Sequence, residues 1–147
     1  QDLGDFAHAR RKNGKNGEFM ITVVCGLIGS GKSTWARQHF DIVTECEDHD
    51  KDRQIRETLR FDRSGKDVCH ITCFPTMNEE WAFQDKKVRY LWINTDPSQS
   101  MKNVIARGRE RDLIDLDRVE RKNKELFQKL SASGFEEIEV FKTTERW

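Results

Sequence analysis

The chain has 147 residues, 35% hydrophobic and 35% charged, a length that suits one domain with a small core beneath a heavily ionised surface. Its 26 basic and 26 acidic side chains cancel, which argues against bulk electrostatic grip on long nucleic acid and leaves contact with a strand end open. No apolar run approaches the ~20 residues of a membrane span and no signal-peptide-like segment stands near the start, so a soluble, cytoplasmic protein with no membrane partner is expected.

Residues 1–19 include Arg10, Arg11, Lys12 and Lys15 with almost no apolar periodicity, and they read as a leader ahead of the domain at 20–147; a basic arm for nucleic acid is the rival reading. A strand is expected over 20–25, rich in Ile and Val, and a helix over 32–40. Between them Gly26, Leu27, Ile28, Gly29, Ser30, Gly31, Lys32 and Ser33 match G-x-x-x-x-G-K-[ST] in full, with Thr34 next. Glycines at these positions let the backbone wrap closely with its N–H groups turned inward, and the following helix offers its positive end. Lys32 would reach the β and γ phosphates, and the Ser33 hydroxyl would ligate Mg²⁺. ATP with Mg²⁺ is therefore the expected ligand.

A second strand is expected over 42–46 and a helix over 50–60, with the charged run 45–53 between. A residue just beyond a strand of a parallel sheet lies where such sheets bind ligands. Asp50 could accept the proton of an acceptor hydroxyl, and Arg53, one helical turn on, could clamp the acceptor. The bland alternative is a solvated turn in which Asp50 or Asp48 caps the helix.

Strands over 68–74 and 88–94 and helices over 77–84 and 97–109 follow, the last starting with Asp96 as cap and Pro97 in its first turn, with Met101, Val104 and Ile105 on its apolar face. Arg107 and Arg111 lie four apart and would share a helical face, so they could fold over the phosphates as a lid with mobility at Gly108. Surface pairing of Arg109 and its neighbours with Glu110 and Asp112 is the alternative. A helix over 115–132, with Val119, Leu126, Phe127 and Leu130 inward, stops at Ser133-Gly134 before a last strand over 137–142.

This alternation predicts an α/β fold with a parallel sheet of about five strands and helices on both faces. Cys25, Cys46, Cys69 and Cys73 are expected as unpaired thiols in or beside strands, with no disulfides, and Cys69 with His70 has the wrong geometry for a shared zinc. Trp35, Trp81 and Trp92 read as core or pocket-wall aromatics, Trp81 alternatively as a base-stacking platform. His70 reads as a satisfied strand histidine, and Phe135 and Phe141 as cover for the last strand.

The loop Gly26 to Ser33 followed by Thr34-Trp35-Ala36, then Asp50-x-x-Arg53, then Arg107 to Arg111 and a terminal helix, resembles the P-loop kinase family that includes phage-type 5′-hydroxyl polynucleotide kinases and small nucleoside and nucleotide kinases. The resemblance spans roughly residues 20–142. It implies a P-loop NTPase-like three-layer sandwich with an arginine lid, and transfer of the γ-phosphoryl of ATP to a nucleoside-type or polynucleotide 5′-hydroxyl. It further implies Lys32 and Ser33 on ATP and Mg²⁺, Asp50 as general base, Arg53 near the acceptor, and Arg107 or Arg111 on the phosphates. Kinases of this group usually end the third strand with an aspartate, whereas Cys73 falls about there in this chain. A nucleotide-binding module without efficient catalysis, and a small-metabolite kinase acting on a sugar acid, are the alternatives.

Overall fold

The computed structural model describes residues 20–46 and 49–140. The leader at 1–19, Asp48 and Phe141 therefore lie outside the described residues. Five strands form one sheet in the order β2-β3-β1-β4-β5, every neighbouring pair parallel: β1 (Ile21–Gly26), β2 (Val43–Thr44), β3 (Val68–Ile71), β4 (Val88–Ile93) and β5 (Glu136–Ile138). Among the described residues six helices connect them: α1 (Lys32–His39), α2 (Lys51–Arg63), α3 (Met77–Phe83), α4 (Pro97–Arg107), α5 (Glu110–Leu113) and α6 (Leu116–Ser131).

The central strand shows why the sheet is covered on both sides. All six residues of β1 are buried, as a continuous β-branched run demands when neither face meets water. Alternation splits them: Val24 packs with Trp35, Ala36 and Phe40 of the α1 region, while Ile21, Val23 and Cys25 pack with Ile55, Phe83, Leu126 and Leu130 of α2, α3 and α6. Helices thus lie on both faces, an arrangement that fits a three-layer sandwich. Complete burial of a side chain such as Val24 or Leu130 contributes about 1.5–3 kcal/mol.

The helix ends follow local chemistry. Asp50, Asp96 and Asp115 accept backbone N–H groups at the starts of α2, α4 and α6, and Thr76 with Glu79 forms a reciprocal capping box on α3. On α6, Val119, Leu126 and Leu130 are buried as the 3.6-residue period requires, with Phe127 partly covered.

Several expectations change, among them the second strand, which is only Val43–Thr44, and the last, which is Glu136–Ile138. β3 ends at Ile71 rather than at 74, although Thr72 N still donates to Val24 O at 3.0 Å and Gly26 N to Cys73 O at 3.2 Å. The helix expected over 97–109 stops at Arg107, because Gly108 adopts φ +69 and its N–H closes on Val104 O. A separate one-turn helix, α5, then begins at Glu110. On α4, Val104 is fully buried but Ile105, one step of about 100° round the helix, is exposed. Trp81 is 74% exposed, unlike the buried Trp35 and Trp92, because Met77 and Trp81 take the outer side of α3 while Glu79 and Phe83 take the inner one. Phe135 stacks on Tyr90 of β4 and on Phe74 beyond β3.

Candidate active site

The site grows from the end of the central strand. After Gly26 the chain doubles back through a tight loop into α1, with Gly29 at φ +85 and Gly31 at φ +92, backbone conformations that other residues adopt only under strain. A Cβ on Gly29 would lie 2.4 Å from Ser100 O and 2.8 Å from Val104 Cγ2, so α4 can close on the loop only because glycine is there. α1 has no side-chain cap and no acid in its first turn. The N–H groups of Lys32, Ser33 and Thr34 therefore lack intrahelical acceptors, and with the helix dipole they form a receptor for an anion.

Three side chains surround that helix start. Lys32 Nζ donates to Leu27 O at 3.0 Å, which holds the ammonium over the loop. Ser33 Oγ donates to Glu45 Oε2 at 2.6 Å, and Glu45, just beyond β2, also pairs with Arg37. Burial by itself raises the Glu45 carboxyl, but the hydrogen bonds from Ser33 and Arg37 outweigh it and hold the group below its ordinary value. An ionised carboxylate beside a hydroxyl gives hard oxygen donors of the kind Mg²⁺ takes together with water and phosphate oxygens. Among the described residues no cluster of three or more His, Cys, Asp and Glu could hold a metal without such help.

Opposite the loop, a cleft of about 850 Å³ is bounded by Arg107, Arg109, Arg111 and Arg118. Arg107 and Arg111 do not share a helical face as their spacing suggested, since Gly108 ends α4 between them and Arg109 starts α5. Folding nevertheless brings both to the cleft. Arg107 pairs with the buried Asp112 at 3.2 Å, a partner the sequence suggested for Arg109. Arg111 Nη1 donates to His49 Nε2 at 3.1 Å and so links the arginine segment to the loop after β2.

Asp50 and Arg53 are placed differently from Lys32. They line a smaller adjoining concavity of about 240 Å³, and Glu45 borders both spaces. Asp50 Oδ1 accepts from Arg53 N at 3.0 Å, so the capping role that the charged run allowed is realised. Arg53 pairs with Glu57 at 3.5 Å.

The cleft floor at the end of β3 holds residues that sequence reading did not single out. Lys51 Nζ lies 3.0 Å from Glu79 Oε2, 3.1 Å from Thr72 Oγ1 and 3.2 Å from Gln54 Oε1. Behind it Glu79 Oε2 meets His70 Nε2 at 2.6 Å, and His70 Nδ1 meets Thr58 Oγ1 at 2.8 Å. Burial keeps His70 neutral by lowering its pKa, so its Nε2–H donates to Glu79 and its Nδ1 accepts from Thr58. For Glu79, burial raises the carboxyl, yet donation from His70 and Thr76 N–H and the charge of Lys51 prevail and bring it down to about 2. The cleft thus meets the ammonium of Lys51, with Glu79 buried beneath it. The capping box at Thr76-x-x-Glu79 is a local signal that the sequence reading passed over, while the approach of Glu79 to Lys51 across 28 positions leaves no local signal.

None of the four cysteines is in a disulfide; Cys25 and Cys69 are buried, and Cys46 and Cys73 border the cleft. No described helix is long and apolar enough to cross a membrane. Fold and site together define an α/β protein whose glycine-rich loop, at the carboxyl end of the central strand of a parallel sheet, faces an arginine-lined cleft. No model of a known protein family and no curated protein matches the chain.

Proposed function

We propose that the chain is an ATP- and Mg²⁺-dependent phosphotransferase of the P-loop NTPase type, moving the γ-phosphoryl group to a nucleoside-type or polynucleotide 5′-hydroxyl. The observation that carries this reading is the opposition of an uncapped helix start, with its glycine-rich loop and Lys32, to Arg107, Arg109, Arg111 and Arg118 across one cleft. In phosphoryl transfer, charge spreads over the equatorial oxygens of the group in flight, and catalysis is mostly positioning and neutralisation. The backbone amides of Lys32, Ser33 and Thr34 and the Lys32 ammonium suit the β and γ phosphates from one side, and the arginines suit them from the other. Ser33 and Glu45 would hold Mg²⁺, which would add positive charge to neutralise the polyphosphate.

The acceptor enters from the concavity that shares Glu45 with the cleft, its hydroxyl giving a proton to Asp50 as oxygen attacks phosphorus and the bond to the β-phosphate breaks. Arg53 flanks that entrance. One panel tests the reading: labelled ATP with 5′-hydroxyl oligonucleotides, nucleosides, nucleoside monophosphates or sugar acids as acceptor. Label on an oligonucleotide or nucleoside is the expected result, and label on a sugar acid alone would move the acceptor class. ATP bound with no transfer to any acceptor supports a second reading, a nucleotide-binding module without efficient catalysis. That reading draws on the floor at the end of β3, where Thr72, Cys73 and Lys51 border the cleft in place of a carboxylate.

A further inference from the structure

Three consecutive carbonyls of the glycine-rich loop are each held from outside the loop by a different element. Asn123 Nδ2 donates to Ile28 O at 3.0 Å, Asn103 Nδ2 to Gly29 O at 2.9 Å, and Thr95 Oγ1 to Ser30 O at 2.7 Å. Asn123 does more than the others, since its Oδ1 also accepts from Ile28 N at 2.8 Å. Its amide therefore matches both polar groups of one residue, with the side chain 1% exposed in the middle of α6. A buried amide satisfied on both ends by backbone fixes orientation, because any rotation leaves two or more polar groups unpaired.

The two helices that supply the asparagines also carry arginines of the cleft. Asn103 stands one helical turn before Arg107 on α4, and Asn123 lies on α6 after Arg118. Both stems of the segment 107–118 are thereby fastened to the loop that the arginines face. With carbonyls 28–30 drawn outward, the loop is set in one conformation before any ligand arrives, which reduces the ordering cost of binding.

We propose that Asn123 is a positioning residue that holds the Ile28 peptide groups, preforms the loop for a polyphosphate and fixes the arginine segment against it; the polyphosphate part rests on the function proposed above. Asn123→Asp isolates the claim. An ionised aspartate keeps the acceptor for Ile28 N–H but loses the donor to Ile28 O and sets charge against that carbonyl. A protonated aspartate has one O–H and one carbonyl oxygen, and so restores both bonds. Loss of a buried hydrogen bond of this kind corresponds to about tenfold in an equilibrium constant.

The experiment compares wild type, N123D and N123L at about pH 8 and about pH 5, each variant referred to wild type at the same pH. Amide hydrogen exchange of residues 26–33 is read without ligand, and affinity for Mg²⁺ with a non-hydrolysable ATP analogue is read by calorimetry. Expected for N123D at the higher pH is loss of protection at Ser30, whose N–H closes the loop on Leu27 O at 3.0 Å, and about tenfold weaker binding, both recovering at the lower pH, with no recovery in N123L. Loop protection in N123D equal to wild type at the higher pH, or a loss that acid does not reverse, overturns the proposal. If N123D proves too unstable to measure, N103A reads the same claim through the partly exposed partner of Gly29 O, and unchanged exchange there counts against it. Failure of wild type to bind the analogue refutes the proposed function, while the exchange data still decide the role of Asn123.

Discussion

Replacing Glu79 by Gln tests the buried network on which the cleft floor rests. The substitution keeps an oxygen for Thr76 N–H but removes the charge that holds Lys51, and sets an amide N–H₂ against His70 Nε2 and the ammonium. The Glu79 side chain is 2% exposed, so solvent screens it little. Its pKa of about 2, against an ordinary 4.5, is a shift of about 2.5 units, or about 3 kcal/mol at 1.36 kcal/mol per unit. Because the folded value is depressed, that stability is complete above about pH 4.5 and is lost as pH falls from there towards 2. His70, also depressed from 6.5, adds a separate loss on acidification that begins below pH 6.5 and persists in the variant. Urea unfolding followed by circular dichroism from about pH 7 to about pH 3 should show E79Q less stable by about 2–4 kcal/mol at neutrality, within the range for breaking a buried pair, with the gap closing in acid. A gap below about 0.5 kcal/mol at neutrality, or one that stays constant with pH, would refute the charge-network account.

Lys32→Ala should weaken binding of the ATP analogue by about tenfold to a hundredfold in calorimetry, the range for a hydrogen bond to a charged group, and unchanged affinity contradicts the loop's role. Asp50→Asn should lower turnover by about 10²–10⁴-fold while analogue affinity and the helix cap hold, since the amide oxygen can accept the same Arg53 N–H; full activity removes Asp50 from the chemistry. Glu45→Gln should instead raise the Mg²⁺ concentration needed for half-maximal activity, and an unshifted Mg²⁺ titration rules out its partnership with Ser33 at the metal. Gly29→Ala combines an unfavourable φ of +85 with a 2.4 Å approach to Ser100 O, and should cost about 1–3 kcal/mol in thermal unfolding; a melting temperature within a degree of wild type would show that α4 yields freely.

Elements with a strong local signal were legible in the chain itself. The apolar run before Gly26 had to be a covered strand, the loop motif had to be followed by a helix, and Asp96-Pro97 marked the start of α4 because each feature depends on neighbours within one turn. The helix from Pro97 was expected to run through residue 109, with Arg107 and Arg111 on a shared face, but the left-handed backbone at Gly108 ends it and divides the arginine segment. Trp81 defied its composition for a similar reason, since α3 is short and its inner side is taken by Glu79 and Phe83.

The sequence by itself determined the glycine-rich loop, the alternation of strand and helix, and the Asp96 cap that starts α4, all of which rest on backbone geometry and near neighbours. Only the tertiary structure decided that Glu45 meets Ser33, that Lys51 shields Glu79, and that Asn123 grips Ile28 across 95 positions. Such pairs leave no periodic trace, because hydrogen bonds and ion pairs of this kind are set by how layers pack, and packing brings together residues whose separation along the chain carries no information about their separation in space.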